Sequence, residues 1–343
     1  MMKKALFIIL TSQLSFAQIK TFSNNTINKK EFENKLLKAM DSLDVNGMSI
    51  AVINNGKIVY NKGFGYSNVK SGKRITNSTY FEAASLSKPV FCLFVLKLAN
   101  QGKINLDKPV HEYLPSDNIS DERYKKITAR MVLSHTTGLP NWSETKMVTL
   151  ESEPGTSFSY SGEAFVYLAK VIAKIYNTNL KNLDSIFQKE VADEFKLDNF
   201  NFVITPEIEK DLTTAYQGKS EVKDERDRLS FDPAGGLYSN PTNYAQFLIQ
   251  LMNHKSEYKD MFKPFIKLED NNIIKQYFGI KSWTLGLAVE EINGSQNYWH
   301  GGNNLGYTNS FTINPNKKFG YVFFTNADQC NSMKKIVENI LWK

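Results

Sequence analysis

The sequence has few of the residues that build metal sites or disulfide frameworks. Only two cysteines and four histidines occur among 343 residues. The histidines, at 111, 135, 254 and 300, show no His-x-x-x-His spacing, and no Cys-x-x-Cys pair accompanies them; such spacings are typical of zinc sites. We therefore expect neither a metal nor another cofactor. Cys92 lies in the apolar stretch Val90 to Leu98, where a buried free thiol is the ordinary state, so we expect no disulfide to Cys330.

Long apolar runs are missing after residue 17. Before it, Lys3 and Lys4 precede an apolar run from Ala5 to Leu10 and a short polar-to-small stretch that ends at Ala17. This layout predicts a secretory signal peptide, residues 1–17, with no cysteine after the cleavage site to carry a lipid. No later segment has the roughly eighteen consecutive apolar residues of a membrane helix. We expect an exported chain, periplasmic or secreted, without a membrane anchor.

Runs of like charge are also missing. Without Lys3 and Lys4, 40 basic side chains stand against 35 acidic ones, and no five like charges are adjacent. So mild an excess is typical of a solvated surface and not of a nucleic-acid-binding protein. The partner that we expect is a small-molecule or peptide substrate. The sequence gives no prediction of oligomeric state.

Strand-like segments occur near both ends of the chain and helical ones between them. Met48 to Ile53 and Lys57 to Tyr60 flank Asn55-Gly56, which predicts a hairpin. Further strands are predicted at 283–290, 298–301, 310–314 and 319–326, with a turn at 293–294 and a closing helix at 332–342. Helices are predicted at 30–43, 86–101, 164–176 and 243–253. We therefore predict an α+β fold, with a sheet lobe from residues 18–84 and 275–343 and a mainly helical lobe, 85–274, inserted between them.

The run Ser85-Leu86-Ser87-Lys88 holds a hydroxyl and an amine three residues apart. A serine becomes a good nucleophile when a neighbouring base removes its proton, and a lysine with a lowered pKa can be that base. If the run forms the first turn of a helix, both side chains lie on one face, and Pro89 is tolerated there. The apolar residues that follow should bury the helix and desolvate Lys88. Because Ser-x-x-Lys is a common string, Ser85 as a mere helix cap is the alternative.

Two further segments carry polar side chains beside loops or glycines. Tyr160 ends a turn-rich loop before the predicted helix from Ala164, and it could be a general acid or base if a nearby lysine lowered its pKa. The alternative is a tyrosine that packs on the core. His300 precedes Gly301 and Gly302 on a predicted strand, where the glycines let a substrate backbone approach closely. The alternative there is a bulge or turn with an exposed histidine.

Together, Ser85-x-x-Lys88, Tyr160-Ser161-Gly162 and His300-Gly301-Gly302 resemble the three active-site motifs of the serine β-lactamase and penicillin-binding superfamily. More narrowly, the chain is similar to the class C β-lactamase-related group, which includes DD-peptidases, D-aminopeptidases and family VIII carboxylesterases. The likeness covers most of the chain after residue 17, including 81–88, 104–110, 127–140 and 234–239. It implies a β-lactamase/DD-peptidase-like fold with an antiparallel sheet flanked by terminal helices.

The resemblance implies a role for each site residue. Ser85 is expected to attack a carbonyl and form an acyl-enzyme, while Lys88 and Tyr160 move its proton. Backbone N–H groups of Ser85 and Asn303 are expected to form the oxyanion hole. His300, beside Gly302, is expected to face a carboxylate or a carbonyl of the substrate. His135 is expected to be structural.

Two departures from the family pattern bear on the substrate. Gly162 stands where the second motif usually has asparagine, with Glu163 as a neighbour that could compensate. His300 stands where many relatives have lysine, which replaces a permanent charge by a fractional one. Both departures favour esters or peptides over β-lactams.

We expect a serine hydrolase of small esters, D-amino-acid peptides or amides, or β-lactams. The alternatives are a penicillin-binding or sensing relative that acylates without efficient turnover, and a non-catalytic partner-binding protein.

Overall fold

The structure, a computed structural model, describes residues 18–328 and 330–343. The predicted signal peptide lies outside the described residues. The α-helices are Lys29–Ser42 (α1), Ser87–Asn100 (α2), Ala129–Leu133 (α3), Gly162–Ile175 (α4), Leu183–Phe187 (α5), Asp193–Phe195 (α6), Pro206–Asp211 (α7), Pro241–Asn253 (α8), Ile273–Phe278 (α9) and Ser332–Leu341 (α10). The strands are Gln18–Lys20 (β1), Thr26–Asn28 (β2), Gly47–Asn54 (β3), Lys57–Asn68 (β4), Lys73–Arg74 (β5), Phe81–Glu82 (β6), Ala215–Gln217 (β7), Ser220–Val222 (β8), Tyr238–Ser239 (β9), Ile266–Lys267 (β10), Ser282–Trp283 (β11), Ala288–Ile292 (β12), Ser295–Asn304 (β13), Tyr307–Asn314 (β14) and Phe319–Thr325 (β15).

Nine of these strands form one antiparallel sheet, in the order β10-β11-β12-β13-β14-β15-β3-β4-β5. Strand β3 lies between β15 and β4, and all eight of its residues are buried. Its side chains alternate between two apolar clusters, because successive residues of a strand point to opposite faces. Ile50 and Val52 belong to the cluster that includes α1 and α10, whereas Ala51 and Ile53 belong to the cluster that includes α2, α4 and α8. The predicted α+β fold with terminal helices on the sheet is confirmed.

Two-residue turns set the register of the long hairpins. Asn55 and Gly56 have φ of +51° and +69°, and Asn293 and Gly294 have +51° and +71°. Positive φ at both positions is the turn geometry that suits the twist of an antiparallel hairpin, and Asn-Gly is the pair that adopts it most readily. Both turns lie where the sequence predicted them.

The segment predicted as one strand, 283–290, is instead two strands, and that prediction is wrong. Strands β11 and β12 pair with each other through a turn over 284–287, where the Thr284 hydroxyl bonds both the N–H and the carbonyl of Leu287. Gly286 has φ of +111° in this turn, and a Cβ there would lie 2.7 Å from the sulfur of Cys92. The alternation that indicated a continuous strand therefore ends at a glycine held against α2.

The helical part of the chain contributes to the sheet as well as covering it. Strand β10, residues 266–267, lies within the range predicted for the helical lobe and forms an edge of the sheet. Helix α2 is buried from Ser87 to Leu98, as its apolar sequence predicted. Cys92 and Cys330 are free and buried in different apolar clusters. Among the helices that the structure describes, none is both long and apolar enough to span a bilayer.

A buried ion cluster joins α10 to the sheet. The amine of Lys334 donates to Glu290 Oε2 at 2.7 Å and to Glu338 Oε2 at 2.9 Å, and the three side chains are all nearly buried. The hydroxyl of Thr312 also bonds both carboxylates. One cation thus offsets part of the charge of two buried carboxylates, and burial raises the pKa of Glu290 to about 7, which reduces the charge that remains.

Replacing Lys334 by methionine should destabilise the fold by about 3–5 kcal/mol, because two buried carboxylates lose their cation. Lys281→Met is the matched control. Lys281 pairs at 2.7 Å with Glu291, next to Glu290, but both side chains are exposed, so its loss should cost less than about 1 kcal/mol. Urea unfolding of both variants measures the difference. Equal losses would contradict the importance of the buried cluster.

Candidate active site

Ser85 lies on a 3₁₀ turn, Ala84–Leu86, and the α-helix begins two residues later at Ser87. The helix predicted at 86–101 therefore begins one residue later than expected, and Ser85 precedes it on the 3₁₀ turn. The cause is Ala84, whose φ of +52° is left-handed, a conformation that costs a non-glycine residue about 1–2 kcal/mol. Ser87 holds the turn in place. Its hydroxyl donates to the carbonyl of Ala84 at 2.6 Å and accepts from the N–H of Leu237 at 2.9 Å.

Lys88 lies beneath Ser85, and its side chain is almost fully buried. Its Nζ donates to Ser85 Oγ at 3.2 Å and to the carbonyl of Ala234 at 2.8 Å. It also lies 4.8 Å from the centre of the Tyr160 ring. Burial lowers the pKa of Lys88 to about 7, with a smaller opposing effect from the charge of Asp232. A substantial fraction of Lys88 is therefore an uncharged amine near neutral pH, able to accept a proton.

Tyr160 is held against His135 at the start of α4. The Ser161 hydroxyl accepts from the N–H of Ala164 at 3.0 Å, which caps the helix, and donates to the carbonyl of Pro140 at 2.7 Å. The His135 ring stacks on Tyr160 with 4.2 Å between ring centres, and its Nδ1 accepts from the N–H of Ser161 at 3.1 Å. His135 thus helps to position Tyr160, in keeping with the structural role that the sequence indicated.

Burial raises the pKa of Tyr160 above its usual value, and the Ser85 hydroxyl offsets only part of this effect. A pKa lowered by a nearby lysine was the condition for Tyr160 to act as a base, and burial, the largest effect on this pKa, acts in the opposite direction. The phenol keeps its proton at neutral pH. Tyr160 is consequently a proton donor in this site and not a second base.

His300 is uncharged at neutral pH. Burial and, to a smaller extent, the charge of Lys88 lower its pKa to about 3. Its Nδ1 lies 2.7 Å from the carbonyl oxygen of Gly301, and since a carbonyl can only accept, Nδ1 carries the ring proton. Nε2 is then a buried acceptor, with no hydrogen-bond partner among the described residues. A carboxylate and a carbonyl have no proton to donate, so Nε2 in this form suits neither of the partners expected for His300, and it can accept from an N–H or O–H group of the substrate instead.

The end of strand β13 lies directly against the Ser85 turn. Pairing between β12 and β13 stops at Ala288 and Trp299, so the edge of β13 beyond Trp299 is not covered by β12. A Cβ at Gly302 would lie 2.7 Å from the carbonyl of Ala83 and 3.1 Å from the nitrogen of Ser85. Only glycine permits this approach, which brings the next residue, Asn303, to the same cavity as Ser85.

A cavity of about 230 Å³ opens between these elements. Ser85, Tyr160, His300 and Asn303 line it, while Lys88 lies behind Ser85 and Gly302 behind Asn303. The structure thus brings together all the residues that the sequence indicated. The remaining wall includes the apolar side chains Ile274, Phe278, Trp283 and Trp299 and the polar side chains Asn141, Ser310, Asn331 and Lys334. No group of three or more possible metal ligands occurs in residues 18–328 and 330–343.

Sequence reasoning missed several of these wall residues. Asn141 directly follows the Leu139-Pro140 end of a recognised segment, so its position beside that segment was a usable signal. Lys334 lies on the closing helix, and Ala234 contributes only its backbone carbonyl. No local pattern marks Lys334, and the resemblance marks the segment 234–239 that includes Ala234 but not the contact of its carbonyl with Lys88. Their proximity to Ser85 arises only when distant parts of the chain pack together.

Comparison with known proteins places this architecture in a family. The family model described as Beta-lactamase matches residues 32–337. The chain belongs to the beta-lactamase family. Among its relatives, Protein flp of Staphylococcus aureus is 22% identical over 319 residues, which cover 86% of this chain and 62% of that protein. Teichoic acid D-alanine hydrolase of Staphylococcus aureus is 26% identical over 265 residues, which cover 73% of this chain and 62% of that protein.

This beta-lactamase family chain therefore spans about three fifths of the length of those two relatives. Among solved structures, EstCE1, described as a hydrolase with promiscuous acyltransferase activity, superposes with a TM-score of 0.78 at 19% identity. The match covers 92% of this chain and 98% of that one. It confirms the expected β-lactamase/DD-peptidase-like fold.

The buried amine predicts a pH-dependent stability. The pKa of Lys88 is about 7 in the folded chain and ordinarily 10.5. Between these values the unfolded chain binds more protons, so the free energy of unfolding rises with pH. Relative to Lys88→Met, the wild-type chain should gain about 2 kcal/mol between pH 7 and pH 9. Lys88→Met should also be the more stable protein at pH 7.

Urea unfolding at both pH values measures this gain, with Lys170→Met on the exposed side of α4 as the control for loss of a lysine. The same pH dependence in the wild-type chain and in Lys88→Met would contradict a lowered pKa of Lys88.

Proposed function

We propose that this chain is an exported serine hydrolase that forms an acyl-enzyme at Ser85. The observation that carries the proposal is the hydrogen bond of 3.2 Å between Lys88 Nζ and Ser85 Oγ, made by a buried lysine with a pKa of about 7. A nucleophile within hydrogen-bond reach of a base whose pKa lies near the working pH is the arrangement that favours acyl transfer.

In the first step the uncharged Lys88 accepts the proton of Ser85 as Oγ bonds the substrate carbonyl carbon. The charge that develops on the carbonyl oxygen is stabilised by the backbone N–H groups of Ser85 and Asn303, which flank the contact between the Ser85 turn and β13. When the tetrahedral intermediate collapses, the leaving group takes a proton from Tyr160, which recovers one from Lys88. In deacylation, water attacks the acyl carbon as Tyr160 takes its proton and passes its own to Lys88. The bond between the acyl carbon and Ser85 Oγ then breaks, and Lys88 returns the proton to Oγ.

The walls of the cavity favour small, uncharged acyl donors. Trp283, Trp299 and Phe278 make one side apolar, and His300 is neutral, so the third motif offers no cation here. Lys334, which also lines the wall, is already paired with Glu290 and Glu338. The name of one relative, teichoic acid D-alanine hydrolase, adds support for a D-alanyl substrate. We therefore place esters and D-amino-acid peptides or amides ahead of β-lactams as substrates.

A second candidate function is that of a penicillin-binding or sensing relative, which acylates without efficient turnover. Gly162 favours it, because the asparagine usually found there contacts both the lysine and the substrate amide. The retained set of Ser85, Lys88 and Tyr160 favours turnover, since the same groups that form an acyl-enzyme can also hydrolyse it.

Ser85→Ala should abolish both covalent labelling by a fluorophosphonate and hydrolysis of substrates. Rates with a p-nitrophenyl ester, a D-alanyl ester, a D-amino-acid amide and a chromogenic cephalosporin should fall by at least about 10³-fold. Ser157→Ala, on the loop before Tyr160, should retain activity. Peptide mapping should find the label on Ser85 of the wild-type chain. Stoichiometric penicillin labelling without release would support the sensing alternative, and a wild-type chain that is neither labelled nor active would refute both functions.

The pH profile should report the protonation of Lys88. We expect kcat/KM to rise through a pH near 7, and to fall about tenfold per unit at lower pH, because protonated Lys88 cannot accept the serine proton. Lys88→Met should lower kcat/KM by about 10²–10⁴-fold. Full activity in Lys88→Met, or a profile that is flat between pH 5 and pH 8, is incompatible with this assignment.

A further inference from the structure

The oxyanion hole expected for Ser85 is built from two separate elements. One N–H group belongs to Ser85 on its 3₁₀ turn, and the other belongs to Asn303 on β13. Gly302 packs against the turn, but no backbone hydrogen bond joins residues 83–86 to residues 300–304, all of which the structure describes. Other contacts must therefore fix the distance between the two N–H groups.

Glu82, on β6 three residues before Ser85, makes such contacts. Its side chain is almost fully buried, and its Oε2 accepts from Nδ2 of Asn304 at 2.9 Å. Its backbone carbonyl accepts from Nδ2 of Asn309, on β14, at 2.8 Å. Because Asn304 directly follows Asn303, one side-chain bond connects the strand before the Ser85 turn to the end of β13.

Two arginines pair with the carboxylate of Glu82. Arg226 donates to Oε2, and Arg228 donates to Oε1 at 3.2 Å. A buried carboxylate is costly unless it is paired and hydrogen-bonded, and here donors from the arginine loop and from β13 satisfy it together. Hydrogen bonds to a charged group are stronger than neutral ones, so these bonds restrain the segments that they join.

The loop that carries both arginines continues to residue 235 and also reaches the lysine. The carbonyl of Gly235 accepts from Asn304 Nδ2 at 3.1 Å. The carbonyl of the preceding residue, Ala234, accepts from Lys88. Glu82 is therefore the common acceptor for the segments that carry both oxyanion N–H groups and the backbone partner of the lysine amine. Neither Glu82 nor Asn304 lines the cavity, so neither is placed to touch a substrate.

We propose that Glu82 is a positioning residue, which holds the Ser85 turn and the end of β13 at the separation that the oxyanion hole requires. The inference rests on the proposed acyl-enzyme at Ser85. Backbone N–H groups stabilise a developing charge only where they point at the oxygen that carries it. A shift of either element therefore costs more in the transition state than in the bound substrate, so loss of the Glu82 carboxylate should lower kcat and leave KM nearly unchanged.

Glu82→Gln keeps the shape of the side chain but replaces one acceptor oxygen by a donor, which faces an arginine or Asn304. We expect kcat for p-nitrophenyl butyrate to fall about 10–100-fold, with KM within about threefold of the wild-type value. Asn304→Ala removes the bond from β13, should show the same pattern, and is the second variant if Glu82→Gln fails to fold. Because both substitutions break one contact, the double variant should lose little more than Glu82→Gln alone.

The thionoester of the same acid separates a positioning role from a merely structural one. Sulfur is a weak hydrogen-bond acceptor, so a thionoester gains little from the oxyanion hole. In Glu82→Gln and in Asn304→Ala, the ratio of kcat/KM for the ester over the thionoester should fall about tenfold, because the ester alone loses this stabilisation. A loss of folded protein would lower both rates equally and leave the ratio unchanged.

Glu190→Gln is the matched control. Glu190 also accepts from a cation and an amide, Lys103 at 2.7 Å and Gln101 at 3.1 Å, and it does not line the cavity that contains Ser85. It should keep the wild-type kcat and the wild-type ratio of ester to thionoester. A similar fall of the ratio in Glu190→Gln would contradict a specific role of Glu82.

Fluorophosphonate labelling carried to completion counts the folded sites, so kcat is expressed per labelled Ser85. A lower kcat with a reduced ratio of ester to thionoester supports the inference. Labelled Glu82→Gln and Asn304→Ala that keep the wild-type ratio, whatever their kcat, would overturn the positioning role and leave the hydrolase function standing. Absence of label and turnover in the wild-type chain would instead refute the proposed function, and the role of Glu82 with it.

Discussion

Burial of the Lys88 amine is the physical constraint on which the rest of the candidate site depends. The amine lies at the start of a helix that is buried from Ser87 to Leu98, and water is replaced there by Ser85, the Ala234 carbonyl and the face of Tyr160. This environment disfavours the charged form and lowers the pKa to a value at which a lysine can act as a base. The fold gives up stability to maintain it, because an apolar side chain would fit the same place without a desolvation cost. Such a trade of stability against activity is common at active sites.

The same environment separates the proton affinities of the other groups around Ser85. Tyr160 is held protonated by burial, and His300 is held neutral by burial and by the nearby lysine charge. Lys88 alone among these three groups therefore changes charge near neutral pH. Titratable groups with pKa values pushed apart acquire distinct tasks. Here the lysine is the base, the phenol is a proton donor, and the imidazole is a neutral hydrogen-bond acceptor in the wall of the cavity.

Local patterns in the sequence were sufficient for much of the fold. The Asn-Gly turns, the buried strand β3 and the buried helix α2 each follow from a few adjacent residues, and the three short motifs indicated the residues that meet around one cavity. Features that depend on tertiary packing were not accessible. The left-handed Ala84 is held by the Ser87 hydroxyl, which bonds the carbonyl of Ala84 and the N–H of Leu237. The high pKa of Tyr160 depends on its burial by rings from distant segments. The place of Asn141 beside Gly162 likewise depends on how the loop after Pro140 packs against α4.

The position of β3 between β4 and β15 has a consequence for how the protein comes into being. β3 pairs with β4 as soon as both are made, but its other partner, β15, begins only at Phe319, more than 250 residues later. Strand pairs that are so far apart in the sequence form slowly. A long loop must close first, and its loss of conformational entropy is offset only after the strands have paired. The strand that carries His300 and Asn303 is made only shortly before β15. A nascent or truncated chain therefore has Ser85 and Lys88 in its sequence but no surface opposite them, and completion of the sheet and assembly of the catalytic cavity become a single late event.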